Sequence, residues 1–220
     1  MILKIEEFFM FEATKIEDFL KGNIKIPQFD HIVANKAKDF QKQLTKPEGS
    51  LGKLEDIAIW MSGWQKHFKP TINNPHCIIF AGNHGISNKG VSAYPSEVTS
   101  QMVKNFKQGG AAINQLCKLA KIKLSVIPID LDKPTMDFSV EKAIRRDEVF
   151  SLMQVGFEAV PSNCDLLILG EMGIANTASA SAISCALFNE PVEEMTGIGT
   201  GINKYQLSKK IKIIKSALEL

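Results

Sequence analysis

Residues 165–188 read DLLILGEMGIANTASASAISCALF: an apolar run, two glycines bracketing a glutamate, then small residues with almost no charge. The run Leu166–Leu169 predicts a buried strand and Gly170–Gly173 a tight turn. The Ala/Ser/Thr-rich segment predicts a helix whose first turn comes close to a ligand or to another backbone. Free N–H groups and the dipole make a helix start attractive to anions. Glu171 therefore stands where an anion would be welcome. Either its carboxylate satisfies those amides itself, or two ligands meet here and only one of them is an anion.

The same layout recurs upstream. His76–Ala81 reads as a buried strand and runs into Gly82-Asn83-His84-Gly85, and Leu124–Asp130 is a third short apolar strand. Helical spacing is expected near 14–21, from about 29 to 44, from Ser96 to Lys107, from Ala111 to Leu119 and over 140–159. Pro47 and two glycines interrupt the chain before a further helix near Leu51, with Ser50 as its cap. Trp60 and Trp64 on that helix read as core packing. Strands alternating with helices predict an α/β fold: a three-layer Rossmann-like domain with a mainly parallel sheet over 71–220. A small N-terminal helical region over 1–70 precedes it. Such sheets bind ligands outside the carboxyl ends of their strands, so the two glycine turns should face one crevice.

Composition narrows the function classes. The 220 residues carry 26 Lys and Arg against 24 Asp and Glu, a net charge of +2 with the signs interspersed. That balance gives no electrostatic case for nucleic acid or an anionic membrane. Hydrophobic content of 45% is ordinary for a globular protein. Cys77, Cys117, Cys164 and Cys185 form no C-x-x-C pair, which fits reduced thiols and a cytoplasmic protein. The first twenty residues are too short and acidic for a membrane span or secretory signal, and Met10 offers an alternative start.

Several residues have the right chemistry for a site. Asn176 and Thr177 are either helix caps or, with Gly173, part of a phosphate cradle. Gly197-Ile198-Gly199-Thr200-Gly201 is a second candidate cradle, though G-x-G-T-G alone is a weak signal. Lys210 would reach a phosphate from the last helix, but four other lysines lie near it and a solvated helix face is the default for each. His84 has no second ligand at metal-binding spacing, so a hydrogen-bonding role is expected and no metal site is. Ser92 and Tyr94 occupy a turn where local capping is the ordinary explanation.

Taken together, TKPEGSLGKLEDIAIWMSGWQ, IIFAGNHGISNKGVSAYPSEVTSQMVKNFKQGGAAINQL, LILGEMGIANTASASAI and TGIGTGI resemble the nicotinate-nucleotide–dimethylbenzimidazole phosphoribosyltransferase family. The resemblance runs from about residue 29 to the end, with the motifs in family order. It implies transfer of the phosphoribosyl group of nicotinate mononucleotide to dimethylbenzimidazole, without cofactor or metal, in a cytoplasmic homodimer that assembles the cobalamin nucleotide loop. Ser92, Tyr94 and Gln101 match the motif lining the benzimidazole pocket. Glu171, Met172 and Gly173 match a strand-end motif between base and ribose. Gly173, Asn176 and Thr177 would surround the phosphate, and Gly199, Thr200, Gly201 and Lys210 match a second phosphate-side segment. Glu171 is expected to support catalysis electrostatically without being the principal base.

Three departures bear on that expectation. Asn83 stands where the family usually has Asp, and Ala175 replaces a usual glycine. The residues end at Leu220, whereas family members continue to a glycine-rich motif carrying their principal base. On that reading the chain is C-terminally truncated, and its last helix leaves an apolar stripe of Leu207, Ile211, Ile214 and Leu218 uncovered. A non-catalytic protein that only binds a benzimidazole or mononucleotide is the alternative.

Overall fold

The computed structural model describes residues 21–22 and 27–220, so the helix expected near 14–21 lies outside the described residues. Among the described residues, 74–220 fall in one compact unit and 27–73 in another.

In the shorter unit, α1 (His31–Gln41) starts at Asp30, whose carboxylate accepts from the Val33 amide at 2.9 Å. Helix α2 (Lys53–Gln65) meets the segment before α1 at Gly63, where a Cβ would fall 2.2 Å from the Phe29 ring. Ser50 does not cap α2, which begins after Gly52 instead. The start is held by Glu55, which accepts from Lys46 Nζ at 2.6 Å and from the Leu51 amide at 3.1 Å. Nor do the tryptophans lie in the core: Trp60 is 56% and Trp64 44% exposed. Ser62 and Gly63 form the buried side of this helix, which turns the indoles outward into an edge-to-face pair.

The larger unit is built on three parallel strands, β1 (Pro75–Gly82), β2 (Lys123–Ile129) and β3 (Leu166–Met172), in the order β2-β1-β3. Parallel pairing buries β1 on both sides, which explains its nearly continuous apolar run. Helices α3 (Glu97–Gln108) and α4 (Ala112–Leu119) cover one face, where Cys77, Ile79, Phe106 and Cys117 pack with Leu124, Val126 and Ile168. Helix α5 (Arg146–Glu158) starts six residues later than its spacing predicts. Asp137 accepts from the Ser139 amide and hydroxyl at 2.9 and 2.7 Å, and its carbonyl accepts from Val140 and Glu141. That local turn competes with the helix and wins over 140–145.

Beyond β3 come α6 (Asn176–Phe188), the single turn α7 (Val192–Met195) and α8 (Lys204–Leu218). Asn203 and Gln206 cap α8 reciprocally. The stripe on α8 is largely covered, contrary to expectation: Ile214 is fully buried and Ile211 half-buried against Ile86, Val91 and Ala178, and Leu218 is the exposed member.

Candidate active site

The order β2-β1-β3 makes the gap between the carboxyl ends of β1 and β3 the point where the chain's progression across the sheet reverses, the usual ligand position in an open parallel sheet. Both glycine corners lie there. A Cβ at Gly173 would fall 2.4 Å from the Gly82 carbonyl oxygen and 3.0 Å from His84 Nε2. It is the neighbouring backbone that forbids a side chain at Gly173. Gly170, by contrast, is not part of the turn. Strand β3 continues to Met172, and Gly170 sits opposite Ile79, where a Cβ would press on the isoleucine at 3.3 Å.

The corner proper is Gly173-Ile174-Ala175. Ala175 takes a left-handed conformation, φ 73°, a strained one for a residue with a Cβ. The Ile174 amide donates to the buried Thr99 hydroxyl on α3 at 3.1 Å. Thr99 therefore fixes the corner from across the sheet, and nothing in the spacing of its neighbours marks it out. Asn176 spans the turn and donates from Nδ2 to the Glu171 carboxylate, whose own side chain is exposed. Asn176 is thus no cap; it orients the glutamate.

Lys210 is the lysine that departs from a solvated face. It is fully buried on α8, and its ammonium donates to Thr177 Oγ1 at 2.8 Å and to the Gly197 carbonyl at 3.1 Å. Both acceptors are neutral. Burial pushes its pKa below the ordinary lysine value, and no carboxylate opposes that shift. Gly199, at φ 52°, lies over this cluster, where a Cβ would fall 2.8 Å from Thr177 Oγ1 and 3.5 Å from Lys210 Nζ. Positive charge, a hydroxyl and a glycine loop so converge at the start of α6, an arrangement suited to an anion.

The second candidate cradle also meets the 92–94 turn. Thr200 Oγ1 lies 2.9 Å from Ser92 Oγ and accepts from the Ala93 amide at 2.9 Å. Tyr94 follows, 56% exposed. Gln101 is exposed on α3, and Met172 packs with the core cluster of Cys77 and Ile79. Gly201, at φ 95°, closes the loop. Ser92 and Thr200 are therefore brought together, as are Thr177, Gly199 and Lys210, and Glu171 with Asn176. His84 binds Ser179 Oγ through Nδ1 at 3.1 Å, and Asn83 donates to the Leu131 carbonyl at 2.8 Å. Among the described residues no three His, Cys, Asp or Glu side chains cluster to hold a metal, and no helix is long and apolar enough to cross a membrane.

A family model described as phosphoribosyltransferase matches residues 26–220. The chain belongs to that family. Among curated relatives, the nicotinate-nucleotide–dimethylbenzimidazole phosphoribosyltransferase of Cereibacter sphaeroides strain KD131 is 46% identical over 194 residues, 88% of this chain and 57% of the relative. The protein of the same description from Jannaschia sp. strain CCS1 is 51% identical over 176 residues, 80% of this chain and 52% of the relative. The crystal structure of CobT from Thermus thermophilus superposes with a TM-score of 0.78 at 33% identity, over 85% of this chain and 62% of that one. This phosphoribosyltransferase-family chain thus spans a little over half the length of the curated relatives it matches.

Proposed function

We propose that the chain carries the mononucleotide-binding part of an enzyme that moves the phosphoribosyl group of nicotinate mononucleotide to 5,6-dimethylbenzimidazole, giving α-ribazole 5′-phosphate and nicotinate. The observation that carries this reading is Lys210: a fully buried ammonium facing two neutral oxygens and a glycine loop. A phosphate supplies the negative charge such a site wants, with Thr177 and Gly199 beside it and Gly173 at the adjoining corner. The sugar then extends toward Glu171, held by Asn176, and the base toward Ser92 and Tyr94, joined to the phosphate loop through Thr200.

In the reaction the bond from the anomeric carbon to the nicotinate nitrogen breaks, and its electron pair neutralises the pyridinium. A benzimidazole nitrogen gives its lone pair to the same carbon from the opposite face, so configuration inverts. The cationic product then loses the proton of its second nitrogen. Anchoring phosphate and base in one crevice raises their effective concentration. An exposed carboxylate beside the anomeric carbon offsets the positive charge that develops there. Glu171 has this role, and the principal base is a separate group. Unpaired Cys77, Cys117, Cys164 and Cys185 fit a cytoplasmic setting. The outward Ile57, Trp60 and Trp64 supply apolar surface for a homodimer.

Glu171→Gln tests the reading. Calorimetry should show nicotinate mononucleotide binding within about threefold of the parent, since the phosphate seat is intact, while turnover falls roughly 10²-fold or more. Unchanged turnover would remove the carboxylate from the mechanism. Binding of both ligands with no product from the parent chain would mark a binding protein.

A further inference from the structure

His84 is the polar group at the crevice that the reading above leaves without a task. Its ring lies edge-on to the Gly173 corner, with Nε2 and Cδ2 respectively 3.0 and 3.1 Å from where a Cβ would sit. Nδ1 is tied to Ser179 on α6. The ring is therefore held between the end of β1, the end of β3 and the first turns of α6. Met172 packs with Cys77 and Ile79 on one face of β3, so alternation puts Glu171 and the Gly173 position on the other face, where the His84 ring stands. Glu171 is the charged group that acts on it, and Ser179 on α6 and Asn83 beside it are neutral. Burial outweighs the attraction of Glu171 and holds the imidazole below the ordinary histidine value, which favours the uncharged ring.

A spacer between two corners needs no polar tether and no ionisable ring. Here both are present, next to a carboxylate that uses Oε2 to accept from Asn176. An uncharged ring leaves the rest of that carboxylate to whatever fills the crevice. A charged one competes for it.

We propose that His84 is a positioning residue for Glu171: tethered by Ser179 and uncharged, it leaves the carboxylate to Asn176 and the ligand's sugar, and its protonation draws the carboxylate away. This rests on the reading that Glu171 faces the sugar of a bound mononucleotide.

The two parts are tested separately. Proton NMR follows the His84 ring through a pH titration in the ligand-free chain and in Glu171→Gln, a change at an exposed side chain. Loss of the carboxylate should move the His84 midpoint to lower pH; an unchanged midpoint overturns the proposal whatever the ligand. Nicotinate mononucleotide is then titrated calorimetrically at pH 7.5 and 5.5 into the parent and into His84→Asn, whose amide keeps a partner for Ser179. The ligand phosphate protonates alike in both cases. The parent should lose more affinity than the variant on acidification, by up to about threefold. Equal losses overturn the proposal. Failure of nucleotide binding in both chains at both pH values would instead refute the functional reading, and the NMR comparison would still decide whether His84 and Glu171 are coupled.

Discussion

Gly173 approaches Gly82 so closely that a single methyl group on the first would come within 2.4 Å of the carbonyl oxygen of the second. The ends of β1 and β3 are in contact through bare backbone, and the crevice is built around that contact. Moving either corner displaces the amides at the start of α6, the Glu171 side chain and the His84 ring together.

The closeness sets up a pair of substitutions with opposite outcomes. Gly173→Ala must push apart two strand ends and should cost about 2–4 kcal/mol in denaturant unfolding. Gly156→Ala, inside α5 with nothing within 4 Å of the new Cβ, should instead stabilise the protein by about 0.5–1 kcal/mol. Equal effects at the two positions would contradict the corner geometry.

Lys210 should show stability and binding pulling against each other. Lys210→Met keeps most of the stem and removes a buried charge with no acidic partner. Folding stability should stay level or rise by up to about 2 kcal/mol. Affinity for nicotinate mononucleotide should drop by about 1.5–3 kcal/mol, roughly ten- to a hundredfold. Thermal melting with calorimetry on the same samples reads both; parent-like affinity would move the phosphate elsewhere.

Acid should loosen the smaller unit, residues 27–73, through Glu55. The Lys46 hydrogen bond, with the Leu51 amide second, holds this carboxyl below its usual value of 4.5. Because the folded value lies below the unfolded one, the contribution is complete above about pH 4.5 and disappears as pH falls through the folded value. Glu55→Gln should melt earlier than the parent at pH 7. The gap should narrow as pH falls below about 4.5 and the carboxyl takes up its proton. A gap that persists in acid would show that the side chain acts by packing rather than by charge.

These features differ in how plainly the chain announces them. The three strands and the meeting of their glycine corners follow from local pattern: apolar runs of strand length, punctuated by residues without a Cβ. The limits of β3 are harder to read, because Gly170 signals a turn locally but serves in the sheet as clearance for Ile79. Helix α5 begins late because Asp137 and Ser139 close a turn that periodicity does not weigh. Thr99 and Lys210 are the instructive cases. Each owes its role to a partner 75 or 33 residues away, Ile174 and Thr177 respectively. A lysine among five on one helix carries no local sign that it alone is buried. The tryptophans err in the other direction, since size and spacing argue for the interior while the tight contact at Gly63 faces them outward.

An ammonium sealed inside the protein without a counter-ion ties sturdiness to whatever is dissolved nearby. If that site takes the nucleotide phosphate as proposed, simple oxyanions such as phosphate or sulfate will compete for it, and a protein stored in them will resist heat better than one dialysed free of them. The same ions would then occupy the place proposed for the substrate. Preparations that look most robust will therefore also look most sluggish, and the choice of buffer will decide which property is seen.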